Sequence, residues 1–302
     1  MTVIISALKY DYTQVNFSKF RNPDSQDHEV FPSETETVNL ANSGYVDSGY
    51  DKIYTQTYNS NMISYKHVGA TTSALSLSGT NLGFDFTGNS LSGTTTAFAF
   101  TEFNRADVIG STLFFDFDRS FDANALLTVM KTTATSDDIS FVSALLAQSD
   151  LILLSKYNDQ ARGYGGDDIM RGYAGVDTLY GDAGVDKIMG GTGRDHLYGG
   201  TGADDFVFND GETGNLASTR DVIYDFSTRS DDLDLRLIDA NSRRAGDQNF
   251  DFGGTRAGAN DVWFARSGSN VIVYGDTNGD ARADFAIELR GVSSLTAGDF
   301  LL

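Results

Sequence analysis

Asp168, Asp177, Asp186, Asp195 and Asp204 stand nine residues apart within a glycine-rich stretch from residue 162 to residue 208. The comb continues upstream to Asp159 and Asp150, where the glycines are missing. Such regularity is that of a repeat in which something needs a carboxylate at every ninth position. The frame can start at Gly163, Gly172, Gly181, Gly190 and Gly199. Position 4 is then always glycine (Gly166, Gly175, Gly184, Gly193, Gly202) and position 6 always the aspartate. Position 8 is a large apolar residue: Met170, Leu179, Ile188, Leu197, Phe206. Upstream, Ile152 and Ala161 take that place.

The elements that position these carboxylates follow from the pattern. The first six residues form a tight loop that needs positive φ and close backbone approach, which glycine permits. The last three form a short strand whose position 8 points into a core. One repeat cannot bury that residue alone, so repeats stack. With two repeats per turn, Asp168 faces Asp186, Asp177 faces Asp195, and Asp186 faces Asp204. Facing carboxylates repel unless a cation lies between them. The loop carbonyls are expected to converge there, unused by ladder hydrogen bonds. An all-oxygen cage suits Ca²⁺, which takes about six to eight ligands at about 2.3–2.6 Å, whereas Mg²⁺ demands a stricter octahedron. Zinc and copper want His or Cys. The alternative is a metal-free coil in which the aspartates only cap turns.

Residues 163–207 match G-G-x-G-x-D-x-U-x in five consecutive copies, the calcium-binding pattern of RTX proteins. The chain therefore resembles the RTX family. That resemblance implies a parallel β-roll in which backbone carbonyls of positions 1 to 4 and the aspartate at 6 bind Ca²⁺ between turns. The implied ligands are Gly163, Gly165, Gly166 and Asp168; Gly172, Ala174, Gly175 and Asp177; Gly181, Ala183, Gly184 and Asp186. They continue with Gly190, Thr192, Gly193 and Asp195, then Gly199, Thr201, Gly202 and Asp204, with Asp159 upstream. The three facing pairs give three calcium sites, and the outer repeats bring the ceiling to five. The departures lie at position 2, where Tyr164, Tyr173 and Asp182 replace glycine and are expected to contribute backbone only.

The stretches GADDFVF, DVIYDF, DDLDLRLIDA, GDTNGDARADFAIEL and LTAGDFLL follow in order over residues 200–302. This order resembles the C-terminal region of serralysin-type secreted metalloproteases. The resemblance implies a cap on the β-roll and an uncleaved export signal, an acidic residue followed by apolar ones, here Asp299-Phe300-Leu301-Leu302. The implied partner is a type I ABC exporter, and the implied location extracellular. The same four residues also read as an ordinary last strand buried in the cap, and the two readings are compatible. Asp276, Asn278, Asp280 and Asp284 fill positions 1, 3, 5 and 9 of an EF-hand loop, but Ala281 replaces its glycine and Ile287 its final glutamate. The competing reading is a β-hairpin whose turn contains Asn278-Gly279.

Composition agrees with a cation ligand. The 302 residues carry a formal charge of −20, which disfavours nucleic acid and anionic lipid as partners. There is no cysteine, so disulfides and thiolate metal sites are excluded. The start, MTVIISALKY, lacks the basic-then-apolar order of a Sec signal, and no run of about 18 apolar residues spans a membrane.

The expected fold class is all-β: an N-terminal β-rich domain over 1–147, a β-roll over 148–207 and a β cap over 208–302. Period-two alternation marks strands at Leu75–Ser78, Phe84–Phe86, Ala97–Phe100 and Phe115–Asp118. Ala123–Lys131 and Ser136–Ala147 carry helical signals. His28-Glu29 has no second histidine three residues on, so H-E-x-x-H is absent, and no G-x-S-x-G occurs. With only His28, His67 and His196, a three-histidine zinc site would need all of them. Asp116, Asp118 and Asp122 are either a metal or acid–base cluster or the polar face of a strand. Tyr45, Tyr50, Tyr54, Tyr58 and Tyr65 either line a carbohydrate surface or pack within a sheet. The expected role is a non-catalytic surface, matrix or host-interaction protein, whose partner would be a cell-surface or matrix polysaccharide. The alternative is a polysaccharide- or ester-active enzyme with an unrecognised site in 1–147.

Overall fold

Period-two alternation becomes long antiparallel strands in the first half of the chain, and period nine becomes short parallel ones in the second. The structure, a computed structural model, describes residues 2–6, 28–31, 36–39, 55–58, 62–67, 72–85, 90–103, 109–122, 140 and 142–302. The chain divides into two compact units, Met1–Leu145 and Leu146–Leu302.

In the first unit the strands are β1 (Thr2–Ser6), β2 (His28–Phe31), β3 (Glu36–Asn39), β4 (Thr55–Tyr58), β5 (Met62–His67), β6 (Thr72–Asp85), β7 (Ser90–Phe103) and β8 (Ile109–Asp122). Antiparallel pairing gives the order β2-β5-β6-β7-β8-β1, and β3 pairs with β4. The register sets Leu77 opposite Phe98, Phe98 opposite Phe115 and Phe115 opposite Ile4, one apolar row across four strands. Asp116, Asp118 and Asp122 all stand on β8. The helical signal at Ala123–Lys131 and the tyrosines Tyr45, Tyr50 and Tyr54 lie outside the described residues, as do the side chains of Tyr58 and Tyr65. Of Ser136–Ala147, Ser140 and residues 142–145 are helical and the chain turns at Leu146; residues 136–139 and 141 lie outside the described residues. Among the described residues no helix is long and apolar enough to cross a membrane.

The second unit is a coil with two repeats per turn. One parallel sheet holds β9 (Leu151–Leu153), β11 (Ile169–Arg171), β13 (Lys187–Met189), β15 (Asp205–Asn209), β17 (Asp232–Leu237) and β22 (Phe300–Leu301). The other begins with β10 (Gln160–Arg162), β12 (Thr178–Ala183), β14 (His196–Thr201) and β16 (Asp221–Ile223). Met170 sits opposite Ile152 and Ile188, and Leu179 opposite Ala161 and Leu197. These partners are eighteen residues apart, so the loop at repeat n lies against that at n+2, as the spacing requires. Ile152, Ala161, Met170, Leu179, Ile188, Leu197 and Phe206 are fully buried between the sheets. Burying each larger side chain stabilises the coil by about 1.5–3 kcal/mol.

Outside the second sheet, Tyr180, Tyr198 and Tyr224 stack at centroid spacings of 4.6 Å, close to the strand separation of about 4.7–4.9 Å. Arg162 covers one end of the stack at 4.4 Å and Arg290 the other at 4.7 Å. Position 7 faces this side, where His196 Nδ1 and Tyr224 Oη lie 2.8 Å apart.

Beyond Phe206 the turns lengthen. β16 pairs in parallel with β21 (Phe285–Leu289), which forms an antiparallel meander with β20 (Asn270–Gly275) and β19 (Asp261–Ser267); β18 (Asp251–Gly254) closes the edge. Trp263 is 9% exposed and stacks on Tyr274 with centroids 5.8 Å apart. Asp299 Oδ2 accepts the Thr296 N–H at 2.6 Å and its hydroxyl at 2.9 Å, which orients Phe300 into β22. The C-terminal residues thus form a last strand.

Candidate metal centre

Two ladders of buried aspartate run along the edges of the coil. One comprises Asp150, Asp168, Asp186, Asp204 and Asp231, which precede β9, β11, β13, β15 and β17. The other comprises Asp159, Asp177 and Asp195, which precede β10, β12 and β14, and Asp221, which opens β16. Asp168, Asp177, Asp186, Asp195 and Asp204 are at most 1% exposed.

Each carboxylate is divided between two tasks. Oδ1 accepts the backbone N–H of the aspartate one turn back: Asp168 from Asp150 at 2.7 Å, Asp177 from Asp159 at 2.7 Å, Asp186 from Asp168 at 2.8 Å, Asp195 from Asp177 at 2.8 Å, Asp204 from Asp186 at 2.9 Å. The facing pairs therefore meet through a carboxylate and an amide, not through two carboxylates. Oδ2 of these five residues is buried with no hydrogen-bond partner. It aims at the Cα of the position-1 glycine in its own repeat. A Cβ at Gly163, Gly172, Gly181, Gly190 or Gly199 would stand 2.1, 2.4, 2.3, 2.3 or 2.5 Å from it.

Backbone oxygens meet these carboxylates. The carbonyls of Gly181, Gly190 and Gly199, one turn on, lie 2.7, 2.3 and 2.6 Å from the same points at Gly163, Gly172 and Gly181. Position 4 brings the turns equally close: Gly175 O would lie 1.6 Å from a Cβ on Gly193, and Gly184 O 1.6 Å from one on Gly202. The position-3 carbonyls are not free of hydrogen bonds as the sequence reading expected, although each keeps a second lone pair. The carbonyls of Ala183, Thr192 and Thr201 accept the N–H groups of Gly166, Gly175 and Gly184 at 2.9, 2.9 and 3.0 Å. Those carbonyls are engaged between turns, because position 4 must pair its N–H once glycine brings the loops together.

Position 2 does more than contribute backbone. Tyr164, Tyr173 and Asp182 have φ of 67°, 71° and 74°, a left-handed conformation that costs an L residue roughly 1–2 kcal/mol. Asp182 also pairs with Arg162 at 3.3 Å.

Burial is the main cause of a raised pKa at the five repeat aspartates: to about 8 for Asp168, about 9 for Asp177, about 6 for Asp186, about 7 for Asp195 and about 6 for Asp204. Backbone donors work against this, and neighbouring carboxylates add to it. A buried anion with an unused oxygen is costly unless a cation pairs with it. Among the described residues no group of three or more His, Asp or Glu side chains is placed to hold a metal by itself. A cation here would draw on carbonyls as well, and an all-oxygen set of that kind fits Ca²⁺.

The two ends differ from the middle. Asp159 Oδ2 accepts the Ser155 N–H at 2.8 Å and hydroxyl at 2.6 Å. Asp221 and Asp231 escaped the nine-residue count because their turns are 26 and 27 residues long: Asp221 Oδ1 accepts the Asp195 N–H at 2.8 Å and Asp231 Oδ1 the Asp204 N–H at 3.3 Å. The signal that finds them is the aspartate two residues before a core residue, as in Asp221 with Ile223 and Asp231 with Leu233.

The Asp276–Asp284 segment is a hairpin loop between β20 and β21, with Gly275 opposite Phe285. Asp276 accepts four backbone N–H groups, from Asn260, Asn278, Gly279 and Ala281, at 2.7–3.2 Å. Asp284 accepts from Thr277 and from the Asn278 amide. These carboxylates are satisfied within the loop and its neighbour.

Family comparison fits this geometry. Residues 148–179 match the RTX calcium-binding nonapeptide repeat, and residues 170–302 match the serralysin C-terminal family of M10 peptidases. Residues 148–302 are RTX calcium-binding repeats with a serralysin-type C-terminal region. Neither match reaches residues 1–147. RTX repeats bind Ca²⁺ and form a β-roll typical of secreted bacterial proteins. Among solved structures, the AlgE6R2 subunit of the Azotobacter vinelandii mannuronan C5-epimerase is 26% identical, over 51% of this chain and 91% of that one, with a TM-score of 0.36. The AlgE6R3 subunit is 27% identical, over 51% and 78%, with a TM-score of 0.28. No curated protein matches the chain.

Proposed function

We propose that this is an exported calcium-binding protein whose RTX roll folds when Ca²⁺ enters the aspartate ladders. The observation that carries this reading is the row of five buried Oδ2 atoms without a hydrogen-bond partner. Where calcium is scarce, the ladder carboxylates disfavour the compact roll and leave the chain loose enough for a type I exporter. Outside, Ca²⁺ in the range of about 10⁻⁴–10⁻³ M occupies such modules, and binding free energy becomes folding free energy. The Asp299-Phe300-Leu301-Leu302 terminus is the proposed export signal, read before folding and buried afterwards as β22. Residues 1–147 form the functional head, a non-catalytic module that meets a cell-surface or matrix polysaccharide.

Calcium titration of EDTA-stripped protein, followed by far-UV circular dichroism and Trp263 fluorescence, tests the folding step. The expected result is a gain of β signal together with burial of Trp263. No change in either would remove the calcium switch. Glycan-array binding of the full chain with and without Ca²⁺ tests the proposed head.

A further inference from the structure

The cap carries a cleft that the aspartate ladders do not use. Its volume is about 370 Å³, and it is lined by Thr255, Phe264, Ala265, Arg266, Ser293 and Ser294. That size falls at the lower end of the range for small-molecule sites, about 300–1,000 Å³. None of the six lining residues is acidic, in a chain with 42 Asp and Glu against 22 Lys and Arg. An anion that the surface as a whole repels meets a cation here.

Three pieces of backbone build the cleft. Phe264, Ala265 and Arg266 are consecutive on β19. Phe264 is buried and stacks on Phe252 with centroids 6.4 Å apart, which fixes the floor. On β18, Phe252 pairs with Val262 and Gly254 with Trp263, so Gly253 is an extra residue and Thr255 follows the bulge. The third wall comes after β21, where buried Val292 and Leu295 anchor the exposed pair Ser293-Ser294 between them.

That wall orients the cation. Arg266 Nε donates to Ser293 O at 2.6 Å, and among the described residues its two Nη nitrogens have no partner. Arg162, Arg220, Arg236 and Arg290 are instead paired with Asp182, Glu288, Asp234 and Glu288. A guanidinium pinned through Nε presents its Nη groups as a planar fork, which matches the two oxygens of a carboxylate. The hydroxyls of Thr255, Ser293 and Ser294 can each donate and accept, so they match hydroxyl groups on the ligand. A purely apolar acid would leave them unmatched, and one guanidinium does not balance a doubly charged phosphate.

We propose that this cleft binds a small hydroxylated carboxylate, a sugar acid or a hydroxy acid, with Arg266 taking the carboxylate and the three hydroxyl side chains the ligand's hydroxyls. The site lies outside the aspartate ladders and needs calcium only as far as the cap must be folded.

Nuclear magnetic resonance titration of the calcium-loaded full chain, read at the Arg266 Nε–H and the Ser293 and Ser294 amides, tests the assignment. The probes are glucuronate, lactate, glucose and acetate. Glucuronate or lactate is expected to shift these signals saturably, and the tighter of the two tells a ring from an open chain. Glucose and acetate are expected to bind at least about tenfold more weakly. Arg266 is exposed, so Arg266→Gln should leave the circular dichroism unchanged and weaken the preferred acid at least about tenfold; Ser294→Ala should weaken it several-fold. No saturable shift with either acid in the unaltered chain overturns the proposal. So does glucose or acetate binding as tightly as the acids, or an unaltered affinity in Arg266→Gln.

Discussion

The Asp186 carboxylate reaches back one turn of the roll and accepts the Asp168 N–H through Oδ1 at 2.8 Å, leaving Oδ2 buried without a partner. In the calcium reading proposed above, one side chain serves both the backbone register and the cation. The two roles are separable by substitution. Asp186→Asn retains an oxygen for the Asp168 amide and removes the charge; Asp186→Ala removes both. The asparagine variant is expected to need at least about tenfold more Ca²⁺ to fold, roughly 1.4 kcal/mol. The alanine variant should lose a further ~1–3 kcal/mol for the unsatisfied amide. Circular dichroism across a calcium titration measures both. Equal midpoints for the two variants would show that the hydrogen bond contributes nothing.

Acidity offers a second handle. Burial raises Asp168, Asp177, Asp195 and Asp221 to about 8, 9, 7 and 8 from an ordinary 3.8. A carboxyl raised in the folded state binds protons there that the unfolded chain has released. Metal-free stability from these groups is therefore full below about pH 4 and falls away as pH climbs through 7 to 9. Calcium needs the ionised form, so its stabilising effect grows over the same interval. Urea midpoints at pH 5 and pH 9 should fall with pH in EDTA, and the gain from Ca²⁺ should be larger at pH 9. A metal-free midpoint that rises with pH contradicts the ladder's electrostatics.

Close approach at position 4 predicts a severe substitution. Gly193 has φ of 143°, and a Cβ there would meet Gly175 O at 1.6 Å. A contact with backbone cannot be relieved by a rotamer change, so the two turns must separate. Gly193→Ala is expected to cost more than about 3 kcal/mol, above the usual range for a strained backbone position alone. Urea unfolding in saturating Ca²⁺ gives the number. A loss below about 1 kcal/mol would mean that the turns are not packed this tightly.

Much of the roll was legible because its constraints repeat. Position 8 of each repeat from Ile152 to Phe206 is in the core, and the eighteen-residue pairing follows from two repeats per turn. The cap strands also announced themselves: the DLDLRL run is β17, and VIVYG lies within β20. What the spacing could not show is how each carboxylate divides its oxygens. That depends on the position-6 amide of the neighbouring turn and on the position-1 backbone of the same repeat, groups that every residue carries. Asp221 and Asp231 were hidden because longer turns precede them, although their offset from Ile223 and Leu233 is that of the repeats. Ser155 was unremarkable in sequence, and only its two bonds to Asp159 distinguish that rung.

The Asp276–Asp284 loop separates hairpin chemistry from EF-hand chemistry. Burial works to raise Asp276, but four backbone donors outweigh it and hold the carboxyl below its ordinary value. An EF-hand aspartate in that place would keep its oxygens for the metal. Asp276→Ala leaves several buried donors unsatisfied, and is expected to cost about 2–4 kcal/mol while leaving the calcium count unchanged. Ala281 lies in the same loop with φ of 58°. Ala281→Gly relieves that left-handed conformation and is expected to stabilise the chain by about 1 kcal/mol. Unfolding midpoints paired with equilibrium dialysis test both variants. A lost ion in Asp276→Ala would make this loop a calcium site, and a destabilised Ala281→Gly would show that the methyl group has a packing role that outweighs its backbone strain.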